Sequence, residues 1–122
     1  MRRLPGRLIL AALALSCVAA PAAAMSVAQF LQKAYAIRAS GIFAMNSPDI
    51  QVLKAELIQV SNAYRASPYS RAPHSCPPPP SQVRITAQQF LADLESIPAG
   101  QRGMSMQTAF VIIMKRHYPC RR

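Results

Sequence analysis

Two histidines and two cysteines are the residues best equipped for chemistry, and they arrive in pairs: His74-Ser75-Cys76 and His117-Tyr118-Pro119-Cys120. Two thiolates and two imidazoles can bind zinc tetrahedrally. However, a His-x-Cys bite is cramped, and Pro119 stiffens the second pair. In an oxidising compartment the same two cysteines read instead as a disulfide. That bridge would close a loop of about 44 residues and contribute about 4 kcal/mol through the unfolded chain. The disulfide is the expected state, zinc through His74, Cys76, His117 and Cys120 is its rival, and no cofactor is expected. No Cys-x-x-Cys pair is present for thiol exchange.

Hydrolytic chemistry would need paired carboxylates, a Ser–His–acid set or a free Cys–His dyad. The chain holds four acids, and Asp93 and Glu95 stand two apart, on different sides of any helix. The residues therefore name no reaction, and an enzyme is not expected. Tyr69, Arg71, His74 and Arg102 fall on predicted loops and are the candidate partner contacts, against the plainer reading of solvated loop residues.

The compartment is set by the N-terminus. Arg2, Arg3 and Arg7 precede the 13-residue apolar run Leu8–Ala20, and Pro21 leads into Ala22-Ala23-Ala24. This order predicts a signal peptide over residues 1–24, cleaved after Ala24, and a periplasmic mature chain. The run is too short for a membrane span, which needs about 20 residues. A buried N-terminal helix is one alternative. Lipidation at Cys17 is another, although Leu15 stands where a small residue is preferred.

The full chain carries a formal charge of +10 at pH 7. Residues 25–122 keep eight arginines and three lysines against Asp49, Glu56, Asp93 and Glu95, a net charge of +7. Such an excess favours an acidic partner or an anionic surface. Nucleic acid is not expected, because the chain reads as exported and shows no basic stripe interleaved with aromatics.

Four helices must position these groups. Ser26 and Gln29 form a capping box before the stripe Val27, Phe30, Leu31, Ala34 and Ile37, which Gly41 ends in a left-handed stop. Residues 42–46 read as a short, partly apolar connector. Ser47-Pro48-Asp49 then supplies a cap, a first-turn proline and a first-turn acid. The stripe Ile50, Leu53, Leu57, Val60 and Tyr64 follows, and Pro68 stops it near Ala66.

Residues 67–82 hold six prolines and read as a linker without helix or strand, with Pro77–Pro80 as a solvated polyproline segment. Thr86 and Gln89 box a third helix with Ile85 and Phe90 in staple positions; Phe90, Leu91, Leu94 and Ile97 form its face, and Pro98 ends it. Ser105 or Gly103 opens the fourth, whose Met106, Ala109, Phe110, Ile113 and Met114 are apolar. Val111 and Ile112 broaden that face, so this helix reads as the most buried. The predicted fold is all-α: one domain over 25–122, a small bundle of about four helices in two hairpins, with one disulfide.

From Cys76 to Cys120 the chain resembles the C-terminal half of the Rap/Tai-type immunity proteins of bacterial type VI secretion. The likeness rests on the Cys-Pro opening, the helix start Val83-Arg84-Ile85-Thr86, Gln89-Phe90-Leu91, Pro98, and an apolar helix ending Tyr118-Pro119-Cys120. It covers about half of the mature chain. Residues 25–75 depart from that family's pattern in having no cysteine, and Gly41 is their only glycine.

The resemblance implies a small, exported, helical protein that blocks a cell-wall amidase, often as a homodimer, with Cys76 and Cys120 as its C-terminal disulfide. The segment Pro68–Pro80 or Pro98–Gly103 would then cover the enzyme's cleft. The alternative is a structural or envelope-stress protein whose basic surface meets anionic envelope polymers.

Overall fold

The computed structural model describes residues 25–121 and builds four α-helices: α1 Val27–Ser40, α2 Pro48–Ala66, α3 Ala87–Glu95 and α4 Met106–His117. The expected signal peptide, its cleavage after Ala24 and the lipidation alternative at Cys17 lie outside the described residues. Among the described residues no helix is long and apolar enough to cross a membrane.

Each helix start follows from local chemistry. The first N–H groups of a helix have no partner within it, so a side chain must supply one. In α1, Ser26 Oγ accepts from the Gln29 N–H, and Gln29 Oε1 accepts from the Ser26 N–H. Thr86 and Gln89 make the same reciprocal pair in α3. Ser47 caps α2 through the Asp49 N–H, and Ser105, rather than Gly103, caps α4 through the Thr108 N–H.

Chain stops also follow. At Gly41, φ is +59° and ψ is −134°, the mirror of the extended region, which only glycine enters without strain. Ser67 ends α2, and its hydroxyl donates to the Tyr64 carbonyl at 2.7 Å.

The four stripes meet in one core. Val27, Phe30 and Leu31 of α1, Val60 of α2, Leu94 of α3 and Met106, Ala109 and Ile113 of α4 are all buried. Phe30 and Phe90 meet edge-on at 6.2 Å, and Phe110 tilts against Phe90 at 6.1 Å and against Tyr64 at 5.3 Å.

The helices pair across the sequence as well as within it. Helix α2 packs on α4 as extensively as on α1, while α3 packs on α1 and α4. The starts of α1 and α4 are laced together: Val27 N–H donates to the Met104 carbonyl and Ala28 N–H to Arg102, while Met106 N–H donates to Met25. The bundle is therefore one unit rather than two independent hairpins.

Two expectations need correction. Helix α4 is not apolar on so broad a face: Ile113 is 1% exposed, whereas Ile112 is 39% exposed. Residues 67–82 are not a free spacer either. They fold as two short 3-10 turns, Pro68–Ser70 and Pro80–Gln82, around the extended prolines, and they bury Ser75. A 3-10 turn is short enough to start at a proline, whose missing N–H falls where no partner is needed.

Candidate functional site

Cys76 and Cys120 form the expected disulfide, with an Sγ–Sγ distance of 2.00 Å. The clasp is reinforced by the Cys76 N–H donating to the Tyr118 carbonyl at 2.8 Å. Nearby, the Arg84 N–H donates to the Tyr118 hydroxyl at 3.1 Å. Tyr118, just past the end of α4, thus holds both the start of the proline segment and the lead-in to α3.

A buried polar link holds the same segment on α2. Ser75 and Tyr64 are both fully buried, and their hydroxyl oxygens lie 2.6 Å apart. Ser75 has one proton, which goes to the Tyr69 carbonyl. The Tyr64 phenol must therefore be the donor to Ser75.

The roles are unequal. Ser75→Ala strips the buried phenol of its acceptor, at a cost of about 1–3 kcal/mol. Tyr64→Phe leaves Ser75 its carbonyl and is expected to cost only about 1 kcal/mol. Urea denaturation of the two variants should rank them in that order; a reversed order would mean the phenol finds another acceptor.

The His–Cys cluster does not assemble. With the thiols oxidised, the His74 ring packs edge-on against Tyr69 at 5.0 Å, and His117 Nε2 sits 2.7 Å from Asp93 Oδ2. Among the described residues no group of three or more histidine, cysteine or acid side chains is arranged to hold a metal ion. The zinc alternative therefore has no geometry behind it.

The four candidate contacts separate. Tyr69, Arg71 and His74 are exposed on the turn after α2, and Tyr69 is 49% exposed. Arg102 is engaged elsewhere: Nε donates to the Ile97 carbonyl and Nη2 to the Glu95 carbonyl, each at 2.9 Å. It satisfies carbonyls at the end of α3, where a cation is favoured.

The residues with the clearest outward presentation lie elsewhere. Between α1 and α2 a 3-10 turn spans Gly41–Asn46, and on it Ile42, Phe43 and Met45 are 81%, 85% and 78% exposed. By local pattern alone this stretch reads as a connector. Its ends are set by the Gly41 stop and the Ser47 cap, and Ile42, Phe43 and Met45 between them face away from the core. Apolar side chains that lie off every helical stripe, directly after a stop glycine, were the available signal.

A second feature is an apolar groove of about 710 Å³, walled by α2 on one side and by α3 with its lead-in on the other. Phe30, Phe90, Phe110 and Met114 contribute to its lining from the three other helices. It exists because α2 and α3 both pack on α1 and α4 but make no extensive contact with each other.

No family model, curated protein or solved structure matches this chain. The tip and the groove must carry the functional argument by their own chemistry.

Proposed function

We propose that this is an exported, non-catalytic binding protein that inserts Ile42, Phe43 and Met45 into a cleft of a protein partner. The partner is a periplasmic peptidoglycan amidase, as the Rap/Tai resemblance implies, and the protein acts as its immunity-type inhibitor. The observation that carries the reading is the near-complete exposure of three large apolar side chains within four consecutive positions. Grouped exposure of this kind marks interaction surfaces. Phenylalanine and methionine are also enriched at protein–protein interfaces relative to the rest of the surface. The tip replaces the 68–80 and 98–103 segments as the cleft-covering element, since both of those are hydrogen-bonded back onto the bundle.

The test is titration of the purified protein against periplasmic amidases, with wall hydrolysis as readout. One amidase is expected to be bound and inhibited, and Phe43→Asp is expected to weaken binding by about 30-fold or more while leaving Tm unchanged. Inhibition indifferent to Phe43→Asp, or no amidase bound, would sink the reading. Salt separates the envelope-polymer alternative. Attraction between exposed charges collapses above physiological ionic strength, while a packed apolar contact survives.

A further inference from the structure

The groove beside α2 has a chemistry of its own, independent of the tip. Its lining from α2 is a single stripe: Ile50, Leu53 and Lys54, Leu57, Ser61 and Arg65. At the rise of an α-helix this stripe runs for about 22 Å. The phenylalanines of the other helices and Ile85, Leu91 and Val83 on the far side complete an apolar channel. Its volume of about 710 Å³ lies inside the usual range of about 300–1,000 Å³ for small-molecule sites.

Charge on the groove is one-sided. Arg38, Lys54 and Arg65 stand on it, and no carboxylate does. Arg65 is engaged, its Nη1 donating to the Pro78 carbonyl at 3.0 Å. Arg38 and Lys54 are in neither of the ion pairs among the described residues, which are Lys33–Asp49 and His117–Asp93. Arg38 stands two residues before the end of α1 and Lys54 in the second turn of α2, so both belong to the half of the groove toward the α1–α2 turn.

We propose that this groove binds one long-chain fatty acid, with its carboxylate between Arg38 and Lys54 and its chain running along Leu53 and Leu57 toward Phe110. A cavity of this size suits a small ligand rather than a macromolecule. Length agrees as well: one acyl chain spans half of a hydrocarbon core of about 30 Å, which leaves room for the head group at the cationic end. Two cations outside any ion pair, on the wall of an apolar channel, match a ligand with one anionic end. They give a neutral chain no advantage.

The experiment is calorimetric titration of the full chain, expressed for export and purified, with sodium oleate below its micellar concentration and with oleyl alcohol. Oleate is expected to bind one-to-one, and the alcohol about tenfold more weakly or less. Arg38→Ala with Lys54→Ala should weaken oleate about tenfold and leave the alcohol unchanged, at an unaltered Tm, since both side chains are exposed. Leu57→Asp should abolish both, and the double alanine variant decides if that chain fails to fold. Phe43→Asp should leave oleate binding intact, so failure of the tip and failure of the groove are told apart. Absence of saturable oleate binding, equal affinity for the alcohol, or a double variant that binds like wild type would overturn the proposal. So would a dimer that must dissociate before oleate binds.

Discussion

Reduction of the Cys76–Cys120 bridge, or replacement of both cysteines by serine, is expected to lower Tm by ~15–30 °C without unfolding the protein at 25 °C. The bridge spans a sequence separation of 44. A cross-link of that span removes about 4 kcal/mol of entropy from the unfolded chain. For a domain of this size each kcal/mol moves Tm by about 4–8 °C. The folded side of the balance changes little, because the Cys76 N–H and the Tyr118 carbonyl are backbone groups and keep their bond when the sulfurs go. The buried Ser75–Tyr64 link beside the clasp also remains.

Cys76 is exposed, so dithiothreitol reaches it without prior unfolding. Thermal melts with and without reductant, alongside intact-mass measurement of the two-hydrogen difference, check the expectation. A Tm change of only a few degrees would mean that residual structure already restricts the unfolded chain without the bridge. A loss of helical signal at 25 °C would mean that the bridged protein itself is stable by less than about 4 kcal/mol.

The second large effect separates two neighbouring isoleucines. Ile113→Ala is expected to cost about 2–5 kcal/mol, because the side chain is 1% exposed and lies in the shared core, where its removal leaves a cavity. Ile112→Ala is expected to cost about 0.5 kcal/mol, as surface substitutions do. The two variants lose the same atoms from adjacent positions of one helix, so helix propensity cancels between them. Denaturant midpoints measured side by side give the comparison directly. Equal losses would place Ile112 inside an interface that the isolated chain does not show, as between two copies of it.

That pair also shows where sequence reading ends. The helix starts were legible because each depends on residues two or three apart: Ser26 with Gln29, Thr86 with Gln89, Ser47 with Asp49. A capping bond forms within one turn, and no other part of the chain has to be known. The all-α class and the Cys76–Cys120 pairing were legible for related reasons, since periodicity is local and the predicted mature chain left one way to pair two cysteines. By contrast, spacing puts Ile113 on the apolar stripe and Ile112 at its margin, but only the packing of α4 against the other three helices decides where that face ends and leaves Ile112 exposed.

The candidate sites divide in the same way. Arg102 looked free because its partners, the carbonyls of Glu95 and Ile97, become reachable only once the 98–103 turn bends the chain back. The proline segment looked solvated because nothing local announces that Ser75 will meet Tyr64 eleven residues earlier. The tip at Ile42–Met45 was visible as composition but not as exposure. The groove was not visible at all, since it is the space left where α2 and α3 each pack on α1 and α4 and not on one another. Local spacing determined the helices, their caps and the one covalent link; side-chain burial, the loops' hydrogen bonds and both candidate binding surfaces were decided by contacts between residues far apart in the chain, which only the assembled bundle brings within range.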